Sequence, residues 1–404
     1  MSLTRAYNIH KKLGAQMVKY AGYMLPMSYT TTNLTTNTQQ GGILKETLNT
    51  RNKDKCSIFD VSHMGQYRIY GDNRHQFLDN LVVSDILGLA RNKSILSAFT
   101  NENAGIMDDV IITNQGDHLN IVCNGANRSK IQTHLEHCKT NEVDIDYTTG
   151  NQLYAIQGPQ SINVLVEILR KYLVNDRILH QIKHTEFMNH IPISLDGKQC
   201  DVYTQGYTGE KGIEVSLPDE IAQEFFIHIL NHPKTHAAGL GSRDILRLEA
   251  GYCLYGQEID ETTNVFEAQM GWTVSKNKRK RNNFPGSHLI LNEDGSVKTK
   301  NIKKLRTGFV ASKKCITPKM NDIVFKDDVL HDSMQEVSSI GYITSGCYSP
   351  HINKPISMGY IYLDKSNSSL KKKYTNYMKQ HKQVNIKTRN KLNLYKPSVF
   401  PIAF

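Results

Sequence analysis

The chain has 404 residues, 39% of them hydrophobic, which is too long for one ordinary core and predicts two or three domains. No apolar stretch approaches membrane-spanning length. The seven cysteines are scattered and form no CxxC pair, which argues against a zinc site and against a secreted disulfide framework and fits a reducing compartment. The formal net charge of +11 indicates an anionic partner or substrate, such as nucleic acid, an acidic protein or a carboxylate-rich cofactor.

The first 250 residues contain several segments with clear local patterns. A Thr- and Asn-rich segment, residues 30–40, has no apolar period and predicts a loop or a disordered insertion. The predicted elements that follow are strands at 66–70, 119–123 and 154–157, helices at 73–82, 128–138, 161 onward, 219–231 and 242–250, and a hairpin over 191–203 that turns at Asp196-Gly197. Ser242 is the predicted N-cap of the last helix. Strands and helices without a regular βαβ rhythm indicate an α+β protein.

The remainder of the chain has a different character. Residues 276–281 are strongly basic and predict a domain boundary or a solvated surface loop. Residues 308–396 show short strands and turns, which is the pattern of a small all-β domain. Within them, residues 367–391 are rich in Lys, Asn and Ser, and their strands cannot be assigned from the pattern.

Residues 101–113 hold two carboxylates where a turn leads into a strand. Asn and Gly residues punctuate the turn, and Val110 to Thr113 are strong strand formers. Adjacent side chains on a strand point to opposite faces, so Asp108 and Asp109 cannot both enter the same site. A carboxylate that faces inward destabilises the fold unless it is paired or functional.

Four further motifs accompany this one in a fixed order. They are Phe59-Asp60-Val61-Ser62-His63-Met64, Gly206-Tyr207-Thr208-Gly209-Glu210 followed by Glu214, Gly239-Leu240-Gly241-Ser242-Arg243-Asp244, and Gly341-Tyr342-Ile343-Thr344-Ser345-Gly346. Together the five resemble the T-protein family, the aminomethyltransferases of the glycine cleavage system, from about residue 3 to about residue 399. No single motif carries the resemblance; their common order does.

The resemblance implies a three-domain, folate-binding α+β fold. Its first domain is discontinuous, over residues 1–62 and 147–262. An α+β domain, residues 63–146, is inserted into it. A C-terminal, mostly β, barrel-like domain covers residues 263–404.

The resemblance also implies the reaction. Such an enzyme takes the aminomethyl group on the lipoyl arm of the H-protein, transfers the one-carbon unit to tetrahydrofolate and releases ammonia. The catalytic carboxylate is expected to be Asp109, with Asp108 as its neighbour. A lipoylated H-protein is the expected partner, and no metal, nucleic acid or membrane is implied. The basic segment before Phe284-Pro285-Gly286 resembles the mitochondrial form, which predicts the mitochondrial matrix.

Seven residues match the family's folate contacts. Glu214 would bind the pterin ring, because a carboxylate accepts from adjacent N–H and amino donors. Arg243 would bind the carboxylate of the folate tail. The other five are Asn124, Tyr207, Trp272, Leu96 and Met64. Each has an ordinary alternative: a solvent-facing Glu, an Arg in a salt bridge, an Asn cap, a purely structural turn around Tyr207, and core positions for Trp, Leu and Met. Arg247 and His63 are expected to be structural.

The sequence differs from the family pattern at two places, and two other functions are considered. The family's Gly-Gly before the acidic pair is Ala104-Gly105 here, and no Tyr at the C terminus matches the family's contact to the folate tail. A folate-binding maturation factor without transferase activity shares the fold, but its Lys-Gly-Cys-Tyr-x-Gly-Gln signature is not matched by residues 251–258. A nucleic-acid binder is favoured only by the basic run, which lacks interleaved aromatic residues.

Overall fold

The computed structural model describes residues 1–31, 41–327, 339–364 and 368–403. Most of the predicted insertion at residues 30–40 lies outside the described residues. The chain divides into two compact units. Unit 1 comprises Met1–Phe77, Gly88–Leu96 and Val110–Leu246, and unit 2 comprises Leu78–Leu87, Ser97–Asp109 and Arg247–Phe404. The division into three domains expected above stays a prediction.

Residues up to 250 form three sheets and most of the helices. The strands are β1 (Ser2–Leu3), β2 (Gln16–Tyr20), β3 (Tyr23–Ser28), β4 (Cys56–Asp60), β5 (Gly65–Tyr70), β6 (Ser94–Thr100), β7 (Ile106–Asn114), β8 (Leu119–Cys123), β9 (Asp144–Tyr147), β10 (Asn151–Gln157), β11 (His190–Leu195), β12 (Lys198–Tyr203), β13 (Gly212–Pro218) and β14 (Thr235–Ala237). The helices are α1 (Tyr7–Lys12), α2 (Ile43–Arg51), α3 (Arg74–Leu81), α4 (Arg128–Cys138), α5 (Ser161–Lys171), α6 (Asp176–His184), α7 (Asp219–Leu230) and α8 (Leu240–Ala250). The sheets have the orders β1-β3-β2, β11-β12-β13-β10-β4-β14 and β6-β7-β8-β5-β9.

The six-stranded sheet of unit 1 is covered on both faces. Ile58 and Ile156 belong to the larger core, into which α5 and α7 pack. Phe59 and Ala155, one position away on β4 and β10, belong to a second cluster on the other face. Because side chains alternate along a strand, burial on both faces requires adjacent apolar residues, such as Ile58-Phe59 in β4 and Ala155-Ile156 in β10.

Unit 2 ends in a closed barrel. Its strands are β15 (Lys304–Ala311), β16 (Ile323–Lys326), β17 (Gly341–Ser349), β18 (Lys354–Tyr362), β19 (Val384–Thr388) and β20 (Lys391–Ser398), in the order β15-β18-β17-β16-β19-β20. The helices of this part are α9 (Lys276–Arg281), α10 (Ser287–Ile290) and α11 (Leu370–Gln380). The predicted β domain is confirmed, and the segment that resisted assignment contains α11 and β19. Tyr377 of α11 packs into the barrel core, which explains why this polar segment is helical.

The predicted hairpin shows how local chemistry sets structure. β11 and β12 pair antiparallel up to Leu195 and Lys198, and the two residues between them are Asp196 (φ 49°) and Gly197 (φ 75°). Two central residues with positive φ define the type I′ turn, which matches the twist of the flanking strands. The turn predicted at Asp196-Gly197 is therefore confirmed.

Candidate active site

The two aspartates lie on β7, and they face in opposite directions as predicted. Asp108 is 0% exposed, whereas Asp109 is half-buried. Burial, with the negative charges of Glu258 and Asp109 among the smaller causes, raises the pKa of the Cys253 thiol to about 12. That thiol therefore stays protonated and is a poor nucleophile. Asp109 is the aspartate of this pair that is open enough to meet a ligand.

The turn before β7 is built around Asn101. Its side-chain Oδ1 accepts hydrogen bonds from the backbone N–H groups of Asn103 and Gly105, each at 2.9 Å. A Cβ on Gly105 would lie 1.8 Å from the carbonyl oxygen of Glu261, so only glycine fits there. Ala104 has a φ of 64°, a left-handed conformation that costs an L-residue roughly 1–2 kcal/mol. This explains physically why a glycine suits the position better than the alanine of this chain.

The Gly-rich turn at residues 206–210 is anchored by Gln157 at the end of β10. Gln157 Oε1 accepts from Thr208 Oγ1 at 2.9 Å, and Gln157 Nε2 donates to the carbonyl of Gln205 at 3.2 Å. A Cβ on Gly206 or Gly212 would lie within 2.3 Å of the Gln157 amide. The glycines thus allow close approach of a buried side chain, and they fix the loop that leads into β13.

Glu214 lies on β13 and is buried, with 7% of its surface exposed. The solvent-facing alternative for this glutamate is therefore wrong. Its Oε2 accepts a hydrogen bond of 2.7 Å from Nε2 of Gln205, which is 4% exposed. Gln205 was missed from the sequence, where it is only an isolated amide before a glycine. The sequence feature that could indicate its role is its position two residues before the predicted folate contact Tyr207.

Arg243 lies in the first turn of α8, which begins two residues earlier than predicted. Ser242 is therefore not the N-cap: its hydroxyl donates to the Gly239 carbonyl at 2.9 Å and to Glu46 Oε2 at 3.1 Å. Glu46 Oε2 also accepts from the N–H of Gly239 at 2.9 Å. Burial raises the pKa of Glu46, and these hydrogen bonds oppose the rise. A buried carboxylate from α2 thus holds the start of α8, which a local sequence pattern cannot reveal.

The guanidinium of Arg243 is only partly satisfied. It lies 4.8 Å from the centre of the Tyr207 ring, a cation–π contact. Burial lowers its pKa, and the charge of Glu214 works against that change. Its Nη1 is buried and has no hydrogen-bond partner within the described ranges. A buried donor left unpaired costs about 1–3 kcal/mol, so the position suits an anionic or acceptor group of a ligand.

His63 belongs to the same region of unit 1. Its ring packs edge-on against Tyr20, with centroids 5.4 Å apart. Burial, reinforced by the positive charge of Arg243, lowers the pKa of His63 to about 3. The imidazole is therefore neutral at physiological pH and cannot serve as an efficient base there. Its Nδ1 has no partner among the described residues, so the expectation of a satisfied structural histidine is not met.

The remaining predicted contacts of unit 1 are partly buried. Asn124 precedes a 3₁₀ turn, Gly125–Asn127, and its side chain does not cap that turn, so the capping alternative is wrong. Met64 packs against the cluster that contains Phe59 and Val122. Leu96, in β6, is half-buried.

Trp272 of unit 2 is 68% exposed and is not a core anchor. It lies in a 3₁₀ turn, Gly271–Thr273, that Arg279 clamps from α9. Arg279 donates to the carbonyl of Gly271 at 2.6 Å and to that of Val274 at 2.9 Å. Its guanidinium also lies 5.2 Å from the centre of the Phe266 ring. An exposed tryptophan on a turn this well supported is available for contact with a ligand or partner.

The basic run, predicted to be a domain boundary or a solvated surface loop, forms a helix, so the loop alternative is wrong. Lys278 is completely buried, and its Nζ lies 3.0 Å from Oδ2 of Asp79. Arg281 reaches Oδ1 of Asp79 at 3.0 Å and Oδ1 of Asp85 at 2.7 Å. Burial opposes ionisation of Asp79, yet its hydrogen bonds and the charge of Lys278 lower its pKa. The prediction failed because these acids lie almost 200 positions away in the chain.

Arg247 has the structural role expected of it. It is buried, and its Nη1 lies 2.6 Å from Oε2 of Glu258. Its Nη2 donates to the Ser345 hydroxyl of β17 at 2.9 Å, a bond within unit 2. Burial opposes ionisation of Glu258, but Arg247 keeps the pKa of that carboxyl below its usual value.

Comparison with known proteins matches both parts of the chain. The family model described as GCVT N-terminal domain matches residues 6–278, and the glycine cleavage T-protein C-terminal barrel domain matches residues 304–401. The chain belongs to the glycine cleavage T-protein family. It is an aminomethyltransferase of the glycine cleavage system. The resemblance of the five motifs is thereby confirmed.

Individual relatives agree with this assignment. The mitochondrial aminomethyltransferase of Dictyostelium discoideum is 35% identical over 375 residues, covering 89% of this chain and 84% of the relative. The human mitochondrial aminomethyltransferase is 34% identical over 366 residues, covering 89% and 82%. The crystal structure of aminomethyltransferase T from Bartonella henselae superposes with a TM-score of 0.82 at 27% identity, covering 100% of this chain and 98% of that one. The predicted α+β fold with a C-terminal barrel is confirmed.

Membership in the T-protein family bears on the two other functions considered from the sequence, a maturation factor and a nucleic-acid binder. The relatives are enzymes, which favours transferase activity over a maturation factor without catalysis. No described helix is long and apolar enough to cross a membrane. The family uses tetrahydrofolate, and the relatives named above are mitochondrial proteins.

Proposed function

We propose that this aminomethyltransferase binds tetrahydrofolate through Glu214, Arg243 and Tyr207, with further contacts from Asn124, Trp272, Leu96 and Met64. The observation that supports this is that unit 1 holds both a buried carboxylate, Glu214, and a half-buried arginine, Arg243, that senses its charge and whose buried Nη1 has no partner in the described part of the chain. A pterin supplies ring N–H and amino donors to the carboxylate, and a folate supplies acceptors and anionic groups to the arginine.

The proposed reaction needs little covalent chemistry from the protein. The methylene carbon leaves the lipoyl sulfur of the H-protein and forms bonds to two nitrogens of tetrahydrofolate. Their two protons end on the sulfur, which becomes a thiol, and on the departing amine, which leaves as ammonia. The enzyme holds the nitrogens close to the carbon, which is catalysis by proximity. Asp109 orients the folate amine and stabilises the iminium cation that develops, with Asp108 as its buried neighbour.

Two substitutions on β7 test the catalytic role of Asp109. Asp109→Asn is isosteric and removes the charge, so we expect turnover to fall by roughly a hundredfold or more while tetrahydrofolate binding persists. Asp108→Asn is the matched control on the opposite face, and its effect on turnover should be smaller. Steady-state rates and calorimetric affinities of both variants check this. Equal losses, or a larger loss at Asp108, would contradict the assignment.

The partner proposed is the lipoylated H-protein, and the proposed compartment is the mitochondrial matrix. The net charge of +11 supports an acidic carrier, because opposite charges steer association and raise its rate more than they raise the final affinity. The mitochondrial relatives support the compartment. Import of the chain fused to a fluorescent protein, followed by fractionation of the organelle, tests the location.

A further inference from the structure

Gln205 is held more firmly than a loop residue between two elements requires. Its backbone N–H donates to the carbonyl of Tyr203 at 3.0 Å, and its own carbonyl accepts from Gln157 at 3.2 Å. Its side-chain Nε2 donates to Glu214 at 2.7 Å. Three fixed points therefore determine where the other end of the amide lies.

That other end, Oε1 of Gln205, is buried and has no hydrogen-bond partner in the described ranges. Rotating the amide would place Oε1 against the carboxylate oxygen of Glu214, where two acceptors repel each other. The observed orientation is therefore the one in which Nε2 donates to Glu214 and Oε1 stays available as an acceptor. A buried amide oxygen without a partner costs about 1–3 kcal/mol, and unit 1 holds another unsatisfied atom among the described residues, Nη1 of Arg243. These two atoms do not satisfy each other.

We propose that Gln205 recognises the pterin together with Glu214, accepting a hydrogen bond from the ring's 2-amino group through Oε1. This inference rests on the proposed function, in which Glu214 binds the pterin. The recognised edge of the ring has three hydrogens to donate, one on a ring nitrogen and two on the amino group. A carboxylate takes two of them in a bidentate pair, and the third requires a neutral acceptor beside it. Gln205 supplies that acceptor and holds the carboxylate in place.

The test couples a substitution in the protein to a deletion in the ligand. Calorimetry measures the affinities of a tetrahydropterin and its 2-desamino analogue for the wild-type chain and for Gln205→Leu. In the wild type, loss of the amino group should weaken binding strongly. In Gln205→Leu the same loss should matter about tenfold less, because one hydrogen bond is already absent. A penalty equal in both proteins would overturn the inference.

Control variants separate failure of this inference from failure of the proposed function. Gln199→Leu, an exposed glutamine on β12, should leave both affinities unchanged. Glu214→Gln should weaken the tetrahydropterin itself; if it does not, the proposed function fails. If Glu214→Gln weakens binding but the amino-group penalty is untouched by Gln205→Leu, only the role of Gln205 is refuted. Should Gln205→Leu not fold, Gln205→Met gives the same comparison, and thermal melting reports the folded state.

Discussion

Two basic regions of this molecule use positive charge in opposite ways. In α9 of unit 2, Lys278 and Arg281 are matched by Asp79 and Asp85, and Arg279 is bound by backbone carbonyls. In unit 1, Arg243 is also largely enclosed, but its Nη1 has no partner in the structure as described. The first region looks functional in the sequence and is structural. The second contains a single arginine and carries the features of a binding site.

The comparison teaches that the number of charged residues in a region indicates ligand binding less well than the number of buried donors without a hydrogen-bond partner. A cation whose hydrogen bonds are complete has little left to offer a ligand. A buried cation with an open donor is destabilising until something binds it, so the fold retains it where a ligand supplies the missing acceptor. The contrast predicts stability effects for α9 and binding effects for Arg243.

The largest expected effect is on stability, from Asp79→Ala. This change leaves the ammonium of Lys278 buried without its carboxylate, which should lower the free energy of unfolding by about 3–5 kcal/mol. Urea denaturation measures the loss. Asp85→Ala is the control, because the Asp85–Arg281 pair is more exposed and should be worth under about 1 kcal/mol. A small effect of Asp79→Ala would contradict the claim that the basic residues of α9 stabilise the fold.

A smaller effect is expected on binding, from Arg243→Ala. Loss of a charge-assisted hydrogen bond of about 1.5–3 kcal/mol should weaken tetrahydrofolate roughly tenfold to a hundredfold. A pterin without the glutamate tail should be barely affected, because Arg243 is proposed to bind the tail. Arg243→Lys keeps the charge but not the planar fork and should recover only part of the affinity. Equal weakening of the tail-less pterin would place Arg243 at the pterin end, beside Glu214, whose charge it already senses.

The smallest effect concerns steering of the H-protein. The Debye length is about 8 Å at physiological ionic strength, so added salt should raise the apparent Michaelis constant for H-protein by up to about tenfold. Turnover at saturation should change little. Since Lys278 is buried, the exposed lysines of α9 are Lys276 and Lys280, and Lys276→Gln with Lys280→Gln tests their contribution. A Michaelis constant that stays flat across the salt series would end the steering hypothesis.

The sequence predicted features that depend on neighbouring residues. The hairpin at Asp196-Gly197, the helix that starts at Ser161 and the opposite faces of Asp108 and Asp109 all follow from local spacing. Resemblance to a known family added the fold and the reaction.

Features that depend on distant partners could not be predicted. Ser242 has the side chain of an N-cap, but its hydroxyl bonds Glu46, which holds the start of α8 from another helix. The basic run has the composition of a solvated loop, but Asp79 and Asp85, which are remote in sequence, bind it as a helix. The proposed role of Gln205 depends on its side-chain contact with Glu214, which lies on the next strand. Each case turns on which atoms meet across the fold, and a single sequence does not contain that information.

The clamp that Arg279 places on the turn of Trp272 has an optical consequence. The chain has one tryptophan, so its near-ultraviolet emission comes from a single indole without overlap from others. Because this indole is 68% exposed on a turn whose backbone Arg279 holds, its emission responds to whatever replaces water around it. The protein thus carries its own fluorophore. Any molecule that covers this turn should change the wavelength and intensity of the tryptophan emission without a label.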